Sequence, residues 1–389
     1  MVDDWKRQLD ALHAGLRERD HPAELVAETE AMEASERYPG VALRGPVFGV
    51  AVQDPARGPE WRVLKSVTDG TPQQARDALQ SYLWFRAKDD TEDRTERRAL
   101  LAAVSVLERE PVDEVEVLGA RYRVIRGDEF ARGGMSGLEP PRATDPEPLK
   151  RVWEHQPYVS PDPEGFVLEP GHGETSLSAG ALRLGLREFA YTDFGFPSQV
   201  RRESEASVRS HPGIVLLPVA FGVIEKDGPG WTPHGVLMPT PHDARLLLYD
   251  GLREFWAKIY RLDARVTARY AAAAEEFRAA ERANEARVGG EVYRICRVER
   301  LVRVGGDGPE PPRASDVETS EPMALHPKMD EDGAFTSAPD PALHLLAPLT
   351  ASGSPYLPAR SPAPAALGTR HSALGTRHSA LGKRQSRSR

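Results

Sequence analysis

YPGVALRGPVFGV at 38–50 and HPGIVLLPVAFGV at 211–223 are two versions of one pattern, 173 residues apart. Four further islands follow in the same order. GPEW at 58–61 matches GPGW at 228–231, TPQQAR at 71–76 matches TPHDAR at 240–245, ARYRVIR at 120–126 matches EVYRICR at 291–297, and EPPRATD at 139–145 matches EPPRASD at 310–316. The offsets stay between 169 and 173. Collinear matches at nearly one spacing predict two diverged copies of a single unit, at 38–148 and 211–318.

Each copy reads as β-β-α-α-β. VFGVAV and AFGVIE are the first strands, and the second strands cover 61–67 and 231–238. Pro233 cannot donate to a central ladder, which puts the later version at a sheet edge. Thr71 and Thr240 stand immediately before Pro72 and Pro241, the pattern of an N-cap followed by proline in the first turn. Leu248, Leu252, Phe255, Trp256 and Ile259 share one helical face, and Leu79, Tyr82, Leu83 and Phe85 are their counterparts. Second helices are expected at 92–109 and 263–287, before the closing strands VEVLGARYRVIR and RVGGEVYRICRVERLVRV. The expected fold class is α+β: two tandem β-β-α-α-β units with antiparallel sheets and helices on one face.

The remaining segments frame these units. Residues 1–37 carry two predicted helices, at 3–19 and 22–36. A Pro/Gly-rich connector spans 149–210, within which ALRLGLREFAY reads as a strand or a short helix. GLREF at 185–189 recurs at 251–255, out of register with the other matches. Residues 319–389 read as a disordered low-complexity tail, ending in a GTRHSAL repeat with few bulky side chains to offset ordering entropy.

Composition limits the function classes. Of 389 residues, 40% are hydrophobic and 28% charged, as in a globular protein. No apolar run is long enough for a membrane helix, and no membrane partner is expected. The N-terminus lacks an apolar signal core. One cysteine excludes an intramolecular disulfide and a Cys-rich metal site, and a reduced, cytoplasmic setting follows. Residues 341–389 hold seven Lys or Arg and no Asp or Glu, leaving 44 basic against 59 acidic side chains in residues 1–340. So acidic a body repels nucleic acid, leaving only weak binding through the basic tail.

Residues kept in both copies supply the candidate sites. Two prolines constrain where Arg142 and Arg313 point, and Asp145 and Asp316 follow three positions later. These four residues predict either a strand-end latch, with each arginine held by its aspartate or a neighbour, or a pocket for a carboxylate or phosphate. Arg123 and Arg126 match Arg294 and Arg297. Their spacing sends the members of each pair to opposite faces, one of them toward solvent. Cys296 replaces Ile125 within a β pattern and reads as a packing thiol. Trp61, Trp231, Tyr122 and Tyr293 read as structural aromatics. GHGETS lacks the lysine of a phosphate-binding loop, and His172, Glu174 and Ser176 have no helical metal-ligand spacing. No catalytic residue, metal or cofactor is predicted. The expected role is binding or assembly, with a protein partner or a second copy engaged at a groove between the units. The alternative is an enzyme or regulator taking a small anion there.

YPGVALRGPVFGV, TPQQARDAL, YRVIRGDEF and EPPRATDPEP resemble an uncharacterised actinobacterial family of streptomycete type, across 1–318. That resemblance implies a cytoplasmic protein and transfers no catalytic residue.

Overall fold

The computed structural model describes residues 22–172, 176–228 and 230–336. The predicted helix at 3–19 and the tail from 337 lie outside the described residues. Helix α1 (Pro22–Arg37) leads into β1 (Gly40–Gln53), β2 (Trp61–Asp69), α2 (Pro72–Asp89), α3 (Arg94–Leu107), β3 (Glu114–Val117), β4 (Ala120–Gly134) and β5 (Gly137–Leu138). The connector supplies α4 (Leu177–Gly185) and α5 (Ser198–Ser210). The second half runs β6 (Gly213–Leu216), β7 (Ala220–Asp227), β8 (Gly230–Met238), α6 (Pro241–Asp250), a π-helical turn (Gly251–Phe255), α7 (Trp256–Ile259), α8 (Ala264–Ala279), β9 (Glu285–Val288), β10 (Glu291–Gly305) and β11 (Gly308–Pro309).

All strands join one antiparallel sheet with the path β2-β1-β4-β10-β7-β8. This corrects the expectation of separate sheets. The join is β4 against β10, where Gly127–Phe130 face Glu299–Val302. Both long strands extend past their own hairpins and share a ladder, which removes two edges that would otherwise stay unpaired. Pairing follows the same pattern in both halves: β1 lies between β2 and β4, and β7 between β8 and β10. Pro218 interrupts the ladder between β6 and β7, at the position matching the register shift of β1 between Leu43 and Gly45. Pro233 lies on edge strand β8, as its missing N–H requires.

Local chemistry sets the helices. Thr71 and Gln74 form a reciprocal capping box at α2, and Thr240 caps α6. The apolar faces of α2 and α3 pack with Val50, Tyr122 and Val124, and those of α6 and α8 with Val223, Tyr293 and Ile295. The expected helix at 263–287 stops at Ala279. Residues 285–288 instead form β9, because Ala286 and Val288 alternate into the core under Tyr270. The offset between the halves grows from 169 at TPHDAR to 171 at EVYRICR, and the π turn lies in that interval. A π bulge accommodates one extra residue in a helix, one of the two by which the offset grows.

The other sheet face curls inward. Trp61, Val63 and Val67 of β2 meet Ile125, Val215 and Val302, while Cys296 packs with Ala220, Ile224 and Leu237. Because both faces are covered, neither Arg123 nor Arg126 points to solvent; they are 5% and 2% exposed. The tail also begins later than expected. Met323, His326 and Pro327 pack on α2: Gln80 donates to the Met323 carbonyl, Trp84 to that of Pro327, and His326 stacks on Trp84.

Candidate functional site

The shared ladder puts a polar lattice at the centre of the helix-covered face. Arg126, Asp128, Phe130 and Arg132 alternate along β4, and Arg297, Glu299, Leu301 and Arg303 along β10. Phe130 faces Glu299 and Asp128 faces Leu301. The period of two therefore gathers four arginines and two acids on one surface.

The EPPR segments cross between halves. The Arg126 N–H donates to the Glu310 carbonyl at 2.8 Å, and the Arg297 N–H donates to the Glu139 carbonyl at 2.8 Å. Arg126 pairs with Asp128 at 2.8 Å and with Asp316 at 3.2 Å. Arg297 pairs with Glu299 and, at 3.2 Å, with Asp145. Each motif is thus held by an arginine of the other half. Burial opposes charge on Arg126 and Arg297, but the surrounding acids hold both well above the usual arginine range.

Within each motif the partner differs from the simplest reading. Arg142 Nε donates to Glu139 at 2.7 Å, and Arg313 Nε donates to Glu310 at 2.7 Å. Asp145 and Asp316 accept the backbone N–H of Arg142 and Arg313, each at 2.7 Å. The short aspartate side chain closes a turn on its own backbone, which leaves the guanidinium for the longer glutamate. Helices seal both turns from outside: Glu30 of α1 accepts from Ala143 and Thr144, and Glu203 of α5 accepts from Ser315. Arg123 pairs with Glu114 and Asp307 and lies over Trp61. Arg294 pairs with Glu285, donates to the Ser136 carbonyl and lies over Trp231.

The two ends of the lattice differ. At one end the connector fills the space. Arg303 donates to the carbonyls of Leu186, Arg187, Phe189 and His211. Tyr191 donates to Asp128 at 2.5 Å and accepts from Arg126. Burial, then Asp128, raises the Tyr191 phenol well above its ordinary value. At the other end, a cavity of about 260 Å3 is lined by Arg132, Arg142, Arg297, Glu299, Ser178 and residues 216–219. Arg132 Nη1 donates to Ser35 Oγ. Arg132 Nε and Nη2, Arg142 Nη1 and Nη2, and Arg297 Nη2 donate to no described residue. Burial lowers the Arg132 pKa, and repulsion from Arg142 and Arg297 adds to that.

The structure brings Arg142 and Arg297 together at this cavity. Arg313 and Arg126 lie at the filled end, while Arg123 and Arg294 hold the outer hairpins. Sequence reasoning missed Arg132, Arg303, Asp128, Glu299 and Tyr191. An Arg-x-acid pair in both halves, Arg126-x-Asp128 and Arg297-x-Glu299, was the available signal; nothing marked Tyr191. Ser176 caps α4 and His172 lies against Phe166, while Glu174 lies outside the described residues. Cys296 is buried, and burial pushes its thiol up to about 12. Among the described residues no group of His, Cys, Asp and Glu is arranged to hold a metal, and no helix is long and apolar enough to cross a membrane.

The chain belongs to a family of unknown function (DUF5954), whose model matches residues 21–319. No curated protein and no solved structure matches this chain.

Proposed function

We propose, from that membership and the lattice geometry, that this is a binding protein made of two duplicated units, and that it takes a small anionic ligand in the Arg132–Arg142–Arg297 cavity. One observation carries the reading: of two similar arginine clusters, the connector fills one with carbonyls and a phenol, leaving Arg313 Nη1 there without a described partner, and the other lines a cavity with several guanidinium donors that meet no described residue. Buried guanidinium groups favour partners that return hydrogen bonds and negative charge. A carboxylate or phosphate supplies both, and a ligand hydroxyl reaching Glu299 would repeat the contact of Tyr191 with Asp128. Five matched islands support the duplication. The single buried cysteine and the Ala/Arg/Gly/Pro-rich composition support an actinobacterial, cytoplasmic setting.

Calorimetric titration of the full chain with phosphate, succinate and 4-hydroxyphenylacetate tests this reading. Saturable heat is expected from at least one anion, lost in Arg132→Gln and kept in Arg303→Gln. No heat from any of the three, or equal loss in both variants, would overturn it.

A second reading, self-association, is favoured by α1, where Leu25, Val26 and Met32 are each more than half exposed. Sedimentation that does not change with concentration would sink it.

A further inference from the structure

A second cavity, of about 140 Å3, opens beside edge strand β8, on the inward-curled side of the sheet. Arg44, Trp231, Pro233, Leu237, Cys296 and Val298 line it. The corresponding place in the first half is filled. There residues 161–170, PDPEGFVLEP, run along edge strand β2. Gly165 and Leu168 donate to the carbonyls of Val63 and Trp61, each at 2.8 Å, and the Val63 N–H donates to Phe166 at 2.8 Å. Leu168 packs with Trp61, Val63 and Ile125, and Asp162 reaches inward to Arg300 at 2.7 Å.

The chain carries a similar stretch beyond the described residues. PDPALHLLAP at 339–348 shares Pro, Asp, Pro, Leu and Pro with 161–170 at the same positions, and Leu345 stands where the first segment has Val167. The offset is 178 here, against 171 at EPPR. The seven residues from Met329 to Phe335 account for the difference. They form a hairpin bridged at its ends, and the Thr336 N–H donates to the Lys328 carbonyl at 2.9 Å, returning the chain to where the hairpin left it. Up to that point the two exit arms run alike: His155 meets Asp250 of α6 at 3.5 Å, and His326 meets Ser81 of α2 at 2.9 Å.

We propose that residues 339–348 of the same chain lie along β8 and fill this cavity with Leu346, as Leu168 packs beside β2. The edge is suited to an added strand. β8 ends the sheet path, and the Trp231 and Pro233 carbonyls match those of Trp61 and Val63 that accept from the first segment. Pro233 cannot supply the third bond, so this pairing has one fewer than its counterpart. Charge is complementary by a different route. Glu129 occupies the position matching Arg300, but Arg44 holds Glu129 through Nη1 and is half exposed, so its remaining donors are free to take an acid such as Asp340 in the proposed arrangement.

Hydrogen exchange on the full chain tests the proposal. The Leu343 and Leu346 amides are expected to exchange at least about tenfold more slowly than those of the GTRHSAL repeats. Leu346→Asp is expected to abolish that protection and increase quenching of Trp231 fluorescence, without altering exchange in β2. Random-coil exchange at 343–346 in the unsubstituted chain would overturn the proposal. Protection that vanishes on dilution would place the segment on a second copy and overturn it equally.

Discussion

Glu129 and Arg300 stand directly opposite each other where β4 meets β10, and 171 residues separate them, the offset that relates the two EPPR motifs. At this point of the β4–β10 ladder the two strands carry opposite charges. Neither answers the other: Arg44 takes Glu129, and Asp162 takes Arg300.

The Arg300–Asp162 pair is fully buried, with both side chains at 0% exposure. Replacing Arg300 with Ala strands a buried carboxylate and is expected to cost about 3–5 kcal/mol in urea unfolding. Replacing both partners, Arg300→Met with Asp162→Asn, which keeps an acceptor for the Val67 N–H and Ser66 Oγ, is expected to recover much of that loss. If the double variant is no more stable than Arg300→Ala, the pair does not act as a unit.

Arg142 and Arg313 have matching contacts to Glu139 and Glu310 but different surroundings. Both alanine variants are expected to lose about 3–5 kcal/mol, since each leaves a buried glutamate unpaired. Lysine at either position is expected to restore only part, because it keeps the charge and loses the planar fork. Only the Arg142 variants are expected to change anion binding. Thermal unfolding and calorimetry on the same preparations separate the two effects.

Cys296 is expected to be inert. Its high thiol pKa and its place beside Leu237 and Val298 predict that labelling by a thiol reagent tracks unfolding and not native exposure. Cys296→Val is expected to change stability by less than about 1.5 kcal/mol. Rapid labelling under native conditions would contradict this assignment.

Asp69, at the end of β2, has its carboxyl pushed up to about 7 by burial and then by Asp77. An acid whose pKa is higher folded than unfolded stabilises the fold while protonated. That contribution is present below the unfolded value of about 4 and is lost as pH rises toward 7. Asp69→Asn is expected to remove this decline, so its advantage over the unsubstituted chain grows between pH 4 and 7. Parallel pH profiles of unfolding free energy would refute the assignment.

Much of each half was legible because its signals are local. Thr71-Pro72, Thr240-Pro241 and the apolar helix spacing need only a few neighbouring residues, and Pro233 alone announced an edge. The β4–β10 join was not legible. It depends on strands that outrun their own hairpins, and alternation looks the same whichever strand sits alongside. Arg126 and Arg297 were visible as repeated residues, but their partners lie 190 and 152 positions away, beyond any local pattern. Tyr191 carried no signal because it lies in the connector, outside the matched islands.

The crossed EPPR segments also constrain how the chain is made. Arg126 stays without Asp316 until 190 more residues have been synthesised, about 10–40 s at ~5–20 residues per second. Through that interval Arg126 has Asp128 but lacks its second carboxylate, and the β10 side of β4 stays open. The shared ladder at the centre of the sheet therefore closes only after residues 291–305 have been made, late in translation.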